Sequence, residues 1–120
     1  MPKNTTKLGN QAEDLATDYL KRKGCKILER NFRNRFCEID IIALKKDQII
    51  FVEVKYRKSD QFGEPIYAIT RDKMRRLTRA ANFYLSENSE YFKLAPRIDI
   101  ISISGELHSP QIEHLENCFR

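Results

Sequence analysis

The sequence predicts an α/β fold: one domain with a central mixed β-sheet and helices on its flanks. Three observations support it. Two segments repeat apolar residues at three- and four-residue spacings, as amphipathic helices do. Between and after them lie runs rich in β-branched residues and bounded by turn chemistry, as strands are. The order is helix, three strands, helix, strand and tail, in a chain whose 120 residues suit one domain.

The first predicted helix spans residues 8–23, with Leu8, Ala12, Leu15, Ala16, Tyr19 and Leu20 on one face. Asn4, Thr5 or Thr6 would cap its start. Lys21, Arg22 and Lys23 complement the negative end of the helix dipole, and Gly24 supplies a left-handed stop. The first strand is predicted over 25–33, with a turn at Asn34-Arg35. The second covers 37–44, carries Ile39, Ile41 and Ile42, and ends at the polar turn Lys45-Lys46-Asp47-Gln48. The third covers 49–57. Its opening run Ile49-Ile50-Phe51-Val52 is apolar on both faces, which fits a strand in the middle of a sheet. Residues 58–65 read as a loop broken by Gly63 and Pro65. Thr70 caps a second helix running to residue 85, with Met74, Leu77, Ala81, Tyr84 and Leu85 on its buried side. Pro96 ends the next loop, residues 98–103 form a fourth strand, and Ser104-Gly105 turns the chain. The tail, 111–119, fits either a short strand or a terminal helix.

Composition narrows the function classes. Charged residues are 32% of the chain, above the usual share of about a quarter, and 22 Lys and Arg against 17 Asp and Glu leave a net charge of +5. That balance suits a polyanionic partner such as nucleic acid. Cys25, Cys37 and Cys118 form no closely spaced pair and leave an odd thiol, so reduced cysteines and a cytoplasmic location are expected. His108 and His114 lie far from any paired cysteines, which argues against zinc. No apolar run approaches the roughly 20 residues that span a bilayer, so no membrane partner is expected.

The chemistry concentrates on two strands. Alternation sets Glu38 and Asp40 on one face of the second strand, and Glu53, Lys55 and Arg57 on one face of the third. The short turn between these strands makes them antiparallel neighbours, so Asp40 and Glu53 can converge across the pair. Glu53 and Lys55 follow four apolar residues, and Asp40 interrupts an isoleucine run. Charge intruding on a core strand is costly without a partner, and for that reason points to function. The competing account is a salt-bridged strand end, with Glu53 paired to Lys55 or Arg57 and Asp40 to another arginine. Two carboxylates hold Mg²⁺ or Mn²⁺ with waters completing the shell. Such an ion activates water and polarises a phosphoryl oxygen. A neighbouring lysine orients the water or offsets developing charge.

Asp40 followed by the strand-borne Glu53-Val54-Lys55 resembles the D…ExK core of the PD-(D/E)XK nuclease superfamily. More closely, Cys37-Glu38-Ile39-Asp40-Ile41-Ile42, Phe51-Val52-Glu53-Val54-Lys55-Tyr56-Arg57 and the spaced Lys73, Leu77, Ala80-Ala81 and Tyr84-Leu85 resemble the motifs of the bacterial YraN-like family. Ala12-Glu13, Arg30-Asn31 and Arg97-Ile98-Asp99 also fit, so the resemblance spans nearly all of residues 1–120. It implies a restriction-endonuclease-like three-layer fold with Asp40, Glu53 and Lys55 in the catalytic positions. Related Holliday-junction-resolvase-like enzymes add a first-helix glutamate to the metal site, a place that falls to Glu13. Two departures stand out: Cys37 where the family has glycine before its Glu-Ile-Asp, and Ala12 where it has glycine before the helix glutamate.

Other residues carry weaker signals. Glu13 flanks the apolar face on a stripe with Gly9, Ala16 and Leu20, whose small members allow close approach to the sheet. Glu38 is equally a neighbour of the site and a salt-bridge partner for Arg33 or Arg35. Arg71, Arg75 and Arg79 recur at four-residue spacing with Lys73 and Arg76 nearby, a stripe that can track phosphates. With Arg57 these form the expected nucleic-acid surface: Arg57, Lys73, Arg75, Arg76 and Arg79. Tyr56 and Phe62 read as packing or loop residues rather than base-stacking platforms, and His114 as structural, with no carboxylate or cysteine suitably spaced around it.

The expectation is therefore a Mg²⁺- or Mn²⁺-dependent endonuclease acting on DNA, including branched or structured DNA. Asp40 and Glu53 would hold metal with Glu13 assisting, and Lys55 would serve the attacking water. Symmetric cutting of a junction would call for a homodimer. Two alternatives remain at this point: a non-catalytic nucleic-acid-binding module of the same fold, and a structural or protein-interaction subunit.

Overall fold

The computed structural model describes residues 7–35, 37–57 and 70–118. The expected caps at Asn4, Thr5 and Thr6, the loop at 58–65, Phe62, and the packing of Leu8 and Gly9 lie outside the described residues.

Helix α1, Lys7–Arg22, leads into three strands, β1 Lys26–Arg33, β2 Glu38–Lys45 and β3 Gln48–Arg57. Helix α2, Arg71–Glu87, precedes a 3-10 turn, Ser89–Tyr91, and strands β4, Ala95–Ser104, and β5, Gln111–Leu115. The sheet order is β1-β2-β3-β4-β5. Only β3 and β4 pair in parallel, and α2 lies in the connection between them, as a parallel crossover requires. The sheet is therefore mixed, with β3 at its centre.

The two helices cover opposite faces. Ala12, Ala16 and Leu20 of α1 pack on Ile41, Ala43, Ile50, Val52, Ile101 and Ile103. Leu77, Ala80, Ala81 and Tyr84 of α2 pack on Ile39, Ile42, Ile49, Phe51 and Ile98. The run Ile49-Ile50-Phe51-Val52 thus splits its side chains between both layers, which is why a central strand reads as continuously apolar. The result is the three-layer α/β/α arrangement expected from the sequence.

Local chemistry sets the ends of the elements. Gly24, at φ 93°, donates to the Lys21 carbonyl while Cys25 donates to that of Leu20, a Schellman stop sealed by burial of Cys25 beside Leu20. Thr70 caps α2, its hydroxyl accepting from the Lys73 amide at 3.0 Å. Lys46, at φ 56°, turns the two-residue connection from β2 to β3.

Two expectations need correction. Pro96 does not end a loop but is the second residue of β4, beside Ile49 of β3. This position suits a residue without an N–H because β5 pairs only from Ile100 onward and leaves that flank of β4 without a strand. The 3-10 turn at Ser89–Tyr91 is an addition to the expected elements, and of the two readings of the tail the strand holds for Gln111–Leu115. Finally, strict alternation fails in β2: Ile39 and Ile42 both face α2, while Ile41 and Ala43 face α1. The opposing position on β1 explains it. Asn31 lies between the pairs Arg30↔Ile41 and Phe32↔Ile39, and its φ of 56° is a left-handed twist that asparagine tolerates better than most residues. Asp40 sits directly across from that twist.

Among the described residues, no helix is long and apolar enough to cross a membrane.

Candidate active site

The β2–β3 ladder runs from Lys45↔Gln48 to Ile41↔Val52, and the next positions along it are Asp40 and Glu53. There the two strands part. Past Val52, β3 keeps its pairing with β4 through Arg57↔Ser104. The Val54 amide, which a continuing ladder would offer to a β2 carbonyl, donates instead to Asp40 Oδ2 at 2.8 Å. Asp40 is only 2% exposed. Its carboxylate thus closes the fork between the strands and is aimed at the backbone joining Glu53 to Lys55.

Glu53 is half-buried and points to the α2 layer, where Lys73 Nζ lies 2.9 Å from its Oε2. Lys73 belongs to the first turn of α2, its backbone fixed by the Thr70 cap. Lys73 is thus a partner of Glu53 from outside the strand pair, beyond the Lys55 and Arg57 that strand neighbourhood suggested. Lys55 is half-buried two residues further along β3, beside Ser102 of β4. Arg57 lies at the end of β3, its Nη2 3.4 Å from Ser102 Oγ.

Glu13 is buried to 4% exposure on the sheet-facing side of α1, between Ala12 and Ala16. Arg30 Nη2 lies 3.8 Å from its Oε1 and donates to Asp14 Oδ1 at 2.8 Å. Arg30 is in turn the ladder partner of Ile41, the neighbour of Asp40. Glu13 is thus held on the α1 side of the β2 segment that bears Asp40.

The basic helix divides into two surfaces. Arg71, Arg75 and Arg79 are exposed and line the outer groove of α2 with Met74 and Thr78. Lys73, half-buried, and Arg76, exposed, line a different cleft of about 240 Å³ with Arg33, Cys37 and Glu38. Asp72 tempers the helix charge, 3.7 Å from Arg75 and 3.6 Å from Arg76. Tyr56 packs with the α1 layer, its hydroxyl 3.4 Å from the Gly105 carbonyl oxygen.

Among the described residues, no group of three or more His, Cys, Asp or Glu side chains is gathered as a metal site. Of the expected metal ligands, Asp40 and Glu53 occupy the adjoining positions where the β2–β3 ladder ends. That pair fits Mg²⁺ or Mn²⁺, because Mg²⁺ takes one or two carboxylates and keeps several waters. The ammonium of Lys73 against Glu53 also marks a place where this carboxylate is satisfied by positive charge.

A second buried aspartate escaped sequence reasoning. Asp99 is wholly buried and accepts four hydrogen bonds: from Arg97 Nε at 2.9 Å and Nη2 at 2.8 Å, from His114 Nε2 at 2.7 Å, and from the Asn117 amide at 2.9 Å. His114 Nδ1 lies 3.0 Å from the Tyr19 hydroxyl, and Arg97 Nη1 donates to Gln48 Oε1 at 2.7 Å. Burial pushes the Asp99 carboxyl up, but its bonds from His114, Arg97 and Asn117, with the charge of Arg97, outweigh that and hold it below the ordinary value. The expectation that His114 has no carboxylate around it is corrected, since Asp99 is 15 residues away in sequence but in contact in space. The signal was available: Asp99 sits between Ile98 and Ile100 as Asp40 sits between Ile39 and Ile41. Here the acid ties α1, β4 and β5 together.

Among the described residues the mixed sheet carries one helix on each face, which defines a protein of the restriction-endonuclease-like fold class. The family model described as "Uncharacterised protein family UPF0102" matches residues 12–103, a span that takes in Glu13, Asp40, Glu53, Lys55 and the basic helix. The chain is similar to the UPF0102 protein of Syntrophomonas wolfei subsp. wolfei, at 45% identity over 93% of this chain and 96% of the relative. It is also similar to those of Geobacter metallireducens, at 46% over 93% and 91%, and Colwellia psychrerythraea, at 40% over 98% and 93%. The chain belongs to the UPF0102, or YraN-like, family, whose general placement is the PD-(D/E)XK nuclease superfamily.

Proposed function

We propose that the protein is a divalent-metal-dependent endonuclease that hydrolyses DNA phosphodiester bonds, including those of branched or structured DNA. The observation that carries this reading is the fork at Asp40. Where β2 and β3 part, an almost fully buried aspartate takes the amide of Val54 and so stands beside the strand segment bearing Glu53 and Lys55.

Asp40 and Glu53 are the residues that would hold Mg²⁺ or Mn²⁺, and Glu13 on the adjoining helix would support the site. A bound ion supplies an activated water and polarises the scissile phosphate. The chain's own residues do the rest. The Val54 amide fixes the Asp40 carboxylate, so its orientation costs nothing when substrate arrives. Lys55, projecting from the same strand, orients the attacking water or offsets charge developing on the phosphate. The outer face of α2, with Arg75 and Arg79, gives phosphates on either side of the cut a positive surface. The protein would act in the cytoplasm, where the three thiols stay reduced.

A second reading, a nucleic-acid-binding module that does not cut, draws on one observation: Glu53 is held by Lys73 at 2.9 Å. A cleavage panel separates the two. Duplex, single-stranded, flapped and four-way-junction DNA are incubated with Mg²⁺ or Mn²⁺ and wild type, Glu53→Ala or Lys55→Ala. The nuclease reading expects cleavage by wild type and a loss of about 100-fold or more in each variant. Equal activity in all three proteins removes the site assignment, and binding without cleavage on every substrate establishes the module.

A further inference from the structure

Lys73 belongs to two places at once. Its ammonium pairs with Glu53, and its side chain also lines the cleft between the β1–β2 turn and α2. Arg33, the last residue of β1, and Arg76, three residues along the helix from Lys73, line the same cleft. Residues three apart on a helix are surface neighbours, so Lys73 and Arg76 flank one spot. Two guanidinium groups and one ammonium outnumber the one carboxylate, Glu38, that lines the same cleft of about 240 Å³, so its lining is net positive and suits a phosphate. With its nitrogen on Glu53, however, Lys73 directs its charge at the carboxylate.

On the reading of Glu53 as a metal ligand, we propose that this cleft is a backbone-phosphate subsite for the nucleic acid, and that Lys73 switches between Glu53 and that phosphate as a divalent cation arrives. A cation at Glu53 competes with the ammonium for the same oxygens. Once displaced, the ammonium keeps its tether on α2 and turns to the phosphate beside Arg33 and Arg76. The movement is short and needs no backbone change, since the Thr70 cap holds the Lys73 amide while its side chain is 37% exposed. Metal and nucleic acid therefore reinforce each other, and linkage makes the effect reciprocal. The device also keeps the carboxylate neutralised until both ligands are at hand.

Two measurements test this. Calorimetry with Mn²⁺ compares wild type, Glu53→Gln and Lys73→Met, with Lys73→Gln as a second variant and melting curves for each. Anisotropy of a labelled DNA duplex compares Ca²⁺ with chelator for wild type, Lys73→Met and Arg76→Gln, with gels to verify that the duplex stays whole. Wild type is expected to bind Mn²⁺ through Glu53, and both Lys73 variants to bind it about two- to fivefold tighter, as loss of a half-exposed competing pair implies. The gain in duplex affinity on adding Ca²⁺ should shrink in Lys73→Met. Arg76→Gln should weaken duplex binding and leave Mn²⁺ affinity unchanged. Glu53-dependent Mn²⁺ binding that is equal or weaker in both Lys73 variants, or an undiminished Ca²⁺ gain in Lys73→Met, overturns the switch and leaves the metal site standing. Wild type without Glu53-dependent Mn²⁺ binding overturns both.

Discussion

Replacing Asp99 by alanine should cost the protein much of its stability. The carboxylate is wholly buried and accepts from Arg97 twice, from His114 and from the Asn117 amide. Removing one partner of a buried charged network costs about 3–5 kcal/mol, because the other groups stay buried without their acceptor. Arg97 would retain Gln48 at 2.7 Å and Glu116 at 3.8 Å, which places the expected loss near the lower end, about 3 kcal/mol. Against a typical total of about 5–15 kcal/mol that is a large fraction. It corresponds to a fall in Tm of about 10–20 °C for a chain of this size. Urea unfolding followed by circular dichroism at pH 7 measures it directly. The pH dependence gives a second check with a definite sign. The folded carboxyl is held below its unfolded value of about 3.9, so its contribution is present above that pH. It is lost as pH falls through the lower folded value. Wild type should therefore lose its advantage over Asp99→Ala progressively below about pH 4. A variant within about 0.5 kcal/mol of wild type at pH 7 would refute the claim that this network holds β5 and α1 to the sheet.

Other parts of the molecule give three further expectations. Arg75→Glu with Arg79→Glu should weaken duplex binding and flatten the slope of log affinity against log salt by about 2, one unit for each phosphate that the variant leaves unneutralised, while an unchanged slope would remove the outer face of α2 from the binding surface. Burial, with the charge and hydrogen bond of Glu29, pushes the Tyr84 phenol up to about 12, so ultraviolet titration should show a late ionising phase that Tyr84→Phe removes. Because that folded value is raised, the associated stability is complete below about pH 10 and disappears as pH rises through 12. Burial likewise raises the Cys25 thiol, so labelling by a thiol reagent at pH 8 should be slow at Cys25 until the protein is denatured.

Much of this architecture was legible because it rests on local pattern. The spacing of Ala12, Ala16 and Leu20 marked the inner face of α1, the run Ile49-Ile50-Phe51-Val52 marked the central strand, and Thr70 and Gly24 marked helix ends through their backbone chemistry. Asp40 was legible as an acid inside an isoleucine run. The geometry that makes it distinctive was not, because it depends on Asn31 in the opposing strand and on the place where the β2–β3 ladder stops. Pairings between distant elements were also hidden. Glu53 lies 20 residues from Lys73 in sequence, and nearer cations offered themselves first. The same cue that found Asp40 applied to Asp99, whose partners on β4, β5 and the following turn give it an architectural role. A buried acid in a strand therefore marks a network, and only its partners say which kind.

The most direct test of the proposed nuclease site is the single-turnover cleavage rate of Asp40→Asn in Mg²⁺, on whichever DNA wild type cuts. Asparagine keeps the shape of the side chain and an oxygen for the Val54 amide, so it removes the charge while retaining the bond that closes the fork. The account predicts unchanged melting, wild-type cleavage that stops in chelator, and a rate at least about 100-fold lower in the variant. Cleavage by Asp40→Asn at the wild-type rate, or wild-type cleavage that persists in chelator, would contradict it.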